Sequence, residues 1–199
     1  MNVKYWSRAG LMLTDWCNAA CACCYANCSP AGRQWLGVDQ AVGIWSDLIQ
    51  ASPHGCRIHL TGGEVFGRFE HLLDVCTQAR RQGLGPLEAV ETNAFWATDA
   101  EAIRRRLREL DAAGMGKLVI SVDPYHQQFV PIERPRLLAR VGGEVLGPGR
   151  VQVRWRDWLE AGCDTGDLPQ AERETLFSRY AATGRERISG RAAADLSAS

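Results

Sequence analysis

The stretch "RIHLTGG", Arg57–Gly63, decides how the rest of the chain is read. It is short, mostly apolar, carries a β-branched residue at each end of its centre, and stops on two glycines, which together describe a buried strand ending in a turn. On either side lie stretches with helical period. Val42, Trp45 and Ile49 fall on one helical face before it, and Phe69, Leu72, Leu73 and Cys76 do so after it. A strand between two helices suggests one unit of a βα repeat, and the same alternation continues in both directions. "AGLMLTD" (Ala9–Asp15), "LEAVETN" (Leu87–Asn93), "KLVISVD" (Lys117–Asp123) and "RVQVRWR" (Arg150–Arg156) read as further strands. Ile103, Leu107 and Leu110 mark a third helix, opened by Thr98 and Glu101 at capping-box spacing. A fourth starts at Pro135 and carries Leu137, Leu138, Val141 and Val145.

Strand, helix, strand repeated in this way implies an α/β fold with right-handed crossovers and a parallel sheet. About five βα units are visible, too few for an eight-stranded barrel. Two architectures remain, an open doubly wound sheet and a partial barrel, and both put chemistry on loops at the carboxyl ends of the strands. The polar and cysteine-rich stretches collect there: a cysteine cluster after the first strand, Gly62–Gly63–Glu64 after the second, Asn93 after the third, and Asp123 to His126 after the fourth. Residues 1–158 are therefore expected to form the core domain. Residues 159–199 are expected to add one helix, between Asp167 and Thr183, and a poorly ordered end, "ISGRAAADLSAS".

Composition narrows the partners. The chain has 199 residues, 46% hydrophobic and 23% charged, with Lys plus Arg and Asp plus Glu both at 23. That balance gives no basic footprint for nucleic acid and none for a membrane surface. No apolar run reaches the length of a membrane span, and Met1–Gly10 lacks the apolar centre of a signal peptide. The expected location is cytoplasmic, where clustered cysteines serve as metal ligands or catalytic thiols more often than as disulfides.

Five of the eight cysteines stand between Cys17 and Cys28. Cys17, Cys21 and Cys24 have the spacing C-x3-C-x2-C, which random placement of the cysteines would produce about 0.01 times in a chain this long. A zinc site of paired C-x2-C units requires a second pair of thiolates or a spaced histidine pair, and neither stands at useful spacing. A thioredoxin-like motif would use Cys21 and Cys24 and leave Cys17 without a role. Three thiolates at this spacing suit three corners of an iron–sulfur cube, with one iron left open for a chelating ligand.

The Cys17–Cys21–Cys24 motif resembles the signature of the radical S-adenosylmethionine (SAM) superfamily, and "LTGGEVF" resembles that family's second motif. "ETNAF" and "SVDPYHQQF" stand where the family's later strands contribute ligands. The resemblance runs from about Ala9 to Trp158. It implies a partial (β/α)6 barrel holding a [4Fe-4S] cluster on Cys17, Cys21 and Cys24, with S-adenosyl-L-methionine chelating the open iron. An electron from a flavodoxin- or ferredoxin-like donor would then cleave SAM to a 5′-deoxyadenosyl radical that takes hydrogen from a peptide or small-molecule substrate. Alternatives are a non-catalytic iron–sulfur or zinc-binding module, and a shortened radical SAM-like subunit that needs a partner.

Within that resemblance Gly62 and Gly63 let backbone approach a ligand, and Glu64 accepts from the SAM ammonium. Asn93 contacts SAM, while Ser121 and Asp123, two apart on a strand, share a face toward ribose or substrate. Arg154, sharing a strand face with Arg156, is a partner for the SAM carboxylate. His126 and Cys163 are the candidate catalytic residues. Two positions depart from the family pattern: Cys23 stands where an aromatic residue usually precedes the third cysteine, and Val65 stands where proline usually follows the glutamate. Cys23 and Cys28 are read as filler outside the cluster set.

Overall fold

The computed structural model describes residues 6–184 and 189–195. Five strands, β1 (Arg8–Met12), β2 (Arg57–Thr61), β3 (Leu87–Thr92), β4 (Lys117–Ile120) and β5 (Val151–Val153), form one sheet in the order β1-β2-β3-β4-β5. Every neighbouring pair is parallel. The order decides between the two expected architectures. A doubly wound sheet reverses its strand order at a switch point, whereas uniform right-handed crossovers in consecutive order place every crossover helix on one face. This sheet belongs to the second kind, the partial-barrel arrangement.

The four crossovers are α1 (Val38–Gln50), α2 (Phe69–Arg81), α3 (Ala100–Ala112) and α4 (Glu133–Leu146). Each turns an apolar stripe toward the sheet. Trp45, Leu72, Ile103, Leu107 and Leu138 are essentially inaccessible, as are Ile58, Leu60, Val90, Leu118 and Ile120 from the strands. The alternate strand positions face the other way, and there the sheet is polar: His59, Thr61, Glu91, Ser121, Gln152 and Arg154 line a cavity. Register keeps these positions level. Glu91 pairs with Val119, and Val119 pairs with Gln152.

Several element ends differ from the sequence reading. Asp99, not Thr98, caps α3, its carboxylate accepting from Ala102 N at 2.7 Å. Helix α4 begins two residues before Pro135, which occupies its first turn. Strand β5 stops at Val153, because Trp155 turns the chain into a short helix, α5 (Arg156–Ala161). Trp155 there stacks between Trp158 (5.6 Å) and Tyr180 (4.7 Å). Arg156 consequently does not share a strand face with Arg154. It lines a separate surface cleft with Arg136 and Glu160.

Beyond α5, helix α6 (Gln170–Ala181) lies within the span expected for a helix. It packs Phe177 and Tyr180 against Tyr125, with ring centroids 4.3 and 5.7 Å apart. The stretch read as a poorly ordered end contains a short helix, α7 (Gly190–Asp195), docked on the cysteine loop. Residue 188 and residues 196–199 of that stretch lie outside the described residues. Among the described residues no helix is long and apolar enough to cross a membrane.

Candidate functional site

The chain leaves β1 and folds back on itself before α1. Thr14 bridges to Trp35 and Trp16 to Ser29, and Cys17 N donates to Ser29 O at 3.0 Å. This loop is seated on the end of β2. Gly63 N donates to Thr14 O and Glu64 N to Trp16 O, both at 2.8 Å. A side chain is not tolerated in that seat. Gly62 has φ +143°, and a Cβ on it would lie 2.6 Å from Thr14 O, while a Cβ on Gly63 would run into Trp16 O. Both glycines line the cavity. The closest backbone they admit, however, is the protein's own cysteine loop.

Glu64 has a different place from the one expected of it. It is fully buried and accepts from Phe66 N (3.1 Å), Asn93 N (2.7 Å) and the Thr92 hydroxyl (3.0 Å), tying the ends of β2 and β3 together. Burial lifts its carboxyl to about 7, with the Asn93 and Phe66 amides and Thr92 opposing the rise. The side chain is absent from the cavity wall, and this arrangement leaves no oxygen facing a ligand ammonium. Asn93 does reach the wall. Its Nδ2 donates to Asn18 Oδ1 at 2.8 Å and lies 3.6 Å from Cys17 Sγ, and its Oδ1 accepts from Phe95 N.

Cys17, Cys21 and Cys24 line the same cavity, of about 640 Å³, together with Asn93, Ser121, Asp123, His126 and Arg154. That volume suits a nucleoside-sized ligand. Among the described residues, one trio of Cys, His, Asp or Glu donors converges within 4.8 Å, and it is not these three cysteines. Burial pushes the Cys17 thiol up to about 12 and Cys21 well above its usual range, with Asp123 adding to the rise at Cys21. Cys24 moves the other way, to about 5, chiefly through a hydrogen bond from the Cys28 side chain; Cys28 N also lies 3.3 Å from Cys24 Sγ. Buried thiols of this kind favour the thiolate when cations compensate the charge, so the donor set fits an iron–sulfur cluster. Cys28 itself is packed in the buried cluster beside these thiols, its Sγ 3.8 Å from Ala26 O.

The remaining wall belongs to β3–β5. Arg154 donates from Nε to Glu91 Oε1 at 2.6 Å, and its terminal nitrogen reaches the same oxygen. Thr61 Oγ1 donates to Glu91 Oε2 at 2.9 Å, and His59 Nε2 lies 3.5 Å from it. Burial would raise the Glu91 carboxyl, but His59, Arg154 and Thr61 together outweigh it and hold it at about 2. Arg154 thus lines the cavity and is engaged by the Glu91 carboxylate. His126 Nδ1 is 2.6 Å from Asp123 Oδ2. Cys163 is exposed and does not line the cavity. His59, Thr61, Glu91 and Gln152 were not singled out from the sequence; the available signal was polar residues at alternate positions of otherwise apolar strands. Also unforeseen is the contact from α7, where Arg191 donates to Cys21 O (2.9 Å) and Cys28 O (2.8 Å), and Ser189 to Tyr25 O (3.1 Å).

A consecutively ordered parallel sheet carrying C-x3-C-x2-C on the loop after β1 resembles the radical SAM superfamily in both fold and motif. The chain is 30% identical over 139 residues to GTP 3′,8-cyclase of Paenarthrobacter nicotinovorans, a match covering 66% of this chain and 36% of that enzyme. The match thus spans about a third of the curated relative's length. A solved structure of native anSMEcpe with bound AdoMet and Cp18Cys peptide is 10% identical, with a TM-score of 0.37 over 75% of this chain and 50% of that one, a likeness too slight to bear on function. No protein-family model matches the sequence.

Proposed function

We propose that the chain is a radical SAM enzyme acting on a peptide or small molecule, with Cys17, Cys21 and Cys24 as the cluster ligands. The observation that carries the proposal is that these three cysteines, in C-x3-C-x2-C spacing, line one nucleoside-sized cavity together with Asn93, Ser121 and Asp123. When bound, the cluster supplies one electron, taken from a flavodoxin- or ferredoxin-like donor, that cleaves SAM to methionine and a 5′-deoxyadenosyl radical.

The chain's own residues hold and orient. Gly62 and Gly63 present backbone to the ligand, and Asn93, Ser121 and Asp123 offer polar atoms to its nucleoside. Glu64 acts one step back, fixing the backbone at Asn93. Arg154, though engaged by Glu91, is half exposed and offers its outer edge to the ligand carboxylate. His126, braced by Asp123, is placed to move a proton on the substrate side. Among the described residues the wall carries one arginine, which Glu91 neutralises, against the carboxylates of Glu91 and Asp123. Such a wall is poorly suited to a triphosphate, which favours a peptide or weakly charged substrate over the nucleotide for which the curated relative is named.

Anaerobic reconstitution with iron and sulfide, followed by SAM and dithionite, tests the reading. The expected product is 5′-deoxyadenosine in amounts that follow cluster content. A chain that assembles the cluster but cleaves no SAM contradicts the enzyme reading and supports a non-catalytic iron–sulfur module.

A further inference from the structure

Cys23 stands apart from the cluster set, and although it packs within the buried cluster of the cysteine loop, its thiol also meets polar groups. It is buried, and the loop turns it toward the exit of β4. There its Sγ, a carboxylate oxygen of Asp123 and a ring nitrogen of His126 all lie within 4.8 Å of one another. Asp123 is as buried as Cys23, and all three side chains line the cavity. The carboxylate and the imidazole are positioned locally. Asp123 Oδ1 accepts from His126 N at 3.0 Å, and Oδ2 lies 2.6 Å from His126 Nδ1. That turn is complete without a thiol. Cys23 reaches it from a hundred residues earlier in the chain, and a thiol acting only as a small hydrophobe gains little from facing a carboxylate.

We propose that Cys23, Asp123 and His126 form a second metal site, separate from Cys17, Cys21 and Cys24, that binds a zinc ion. One thiolate, one imidazole and one carboxylate make a mixed sulfur, nitrogen and oxygen donor set that zinc accepts and that magnesium or calcium does not favour. The ion replaces the Cys23 thiol proton and draws the Asp123 and His126 donors from each other onto itself. Three protein ligands leave one tetrahedral position, and it opens into the cavity, as in zinc sites that take water or a substrate donor. With zinc bound, Asp123 and His126 serve the ion in place of the nucleoside and proton-transfer roles given above, which leaves Asn93 and Ser121 for the nucleoside. The family's usual aromatic residue at position 23 could not do this. The site stands on its own residues and does not require the cluster.

The test uses the full chain, reconstituted anaerobically with iron and sulfide, given equimolar zinc and dialysed against a weak chelator. Metal analysis is expected to find about one zinc per chain beside the iron. Cys23→Ser and His126→Asn are each expected to weaken zinc retention by at least about tenfold while iron content and circular dichroism are unchanged. Cobalt in place of zinc should give a thiolate charge-transfer band that Cys23→Ser removes. If the wild-type chain takes up no iron, the same titration on the chain with Cys17, Cys21 and Cys24 all replaced by Ala separates the two readings. Zinc retained there upholds this site while the cluster assignment fails. Zinc that is not retained, or that survives Cys23→Ser and His126→Asn, overturns the proposal.

Discussion

Replacing Glu91 with Gln probes the polar face of the sheet where its energetics are most one-sided. The Glu91 side chain is about nine-tenths buried and receives Arg154, Thr61 and His59, which hold its carboxyl at about 2 against an ordinary 4.5. That depression corresponds to about 3 kcal/mol of folded-state stability. Arg154 is half exposed, so solvent screens its share, and about 2 kcal/mol is the better expectation. Because the folded-state value is the lower one, the contribution is fully present above pH 4.5 and disappears as pH falls toward 2. Glu91→Gln keeps the shape and the acceptor for Thr61 but removes the charge that Arg154 faces. Urea unfolding of the cluster-free chain, followed by far-ultraviolet circular dichroism at several pH values, measures the difference. The variant should be less stable by about 2 kcal/mol at pH 7, and the gap should close between pH 4.5 and 2. A gap that is independent of pH, or absent at pH 7, refutes the assignment of Glu91 as a charged anchor of the cavity wall.

Glu64 should behave with the opposite sign. Its folded-state value of about 7 lies above the ordinary one, so its contribution is greatest below pH 4.5 and falls by about 3 kcal/mol as pH rises through 7. Glu64→Gln turns an amide N–H₂ toward the Phe66 or Asn93 N–H and should cost about 1–3 kcal/mol at pH 4.5 in the same unfolding assay, with the deficit shrinking at higher pH. Gly63→Ala puts a methyl group into Trp16 O, so the cysteine loop must leave its seat on β2. Iron uptake on reconstitution should be lost while most helical circular dichroism remains. Arg191→Ala removes two charge-assisted bonds to the carbonyls of Cys21 and Cys28 and should destabilise the chain by about 1.5–3 kcal/mol. It should also hasten cluster bleaching in air, with Arg191→Lys intermediate because it keeps the charge but not the fork.

Much of the fold was legible because βα units are local. Strand positions such as Ile58, Leu60 and Leu118 announce themselves by composition, and helical faces such as Ile103–Leu107–Leu110 by period. Boundaries were less legible where two neighbours competed for one role. Asp99 displaced Thr98 as the cap of α3, and Trp155 ended β5 by stacking on Trp158 and Tyr180, a contact involving a helix that begins fifteen residues later. In the site, the spacing of Cys17, Cys21 and Cys24 is a local signal. The direction of Glu64 is not, since it depends on the ends of two strands meeting Thr92 and Asn93. The meeting of Cys23 with Asp123 and His126, and of Arg191 with the cysteine loop, is set by tertiary packing between distant segments. No pattern within either segment marks it.

The partition of the five clustered cysteines is tested most directly by iron content and reduced-state electron paramagnetic resonance across single alanine variants after anaerobic reconstitution. The wild-type chain should hold about four irons with the signal of a reduced [4Fe-4S] cluster. Cys17→Ala, Cys21→Ala and Cys24→Ala should each lose it, and Cys23→Ala and Cys28→Ala should keep it. Retention of the cluster in Cys17→Ala together with its loss in Cys28→Ala would contradict the assignment on which the proposed chemistry rests.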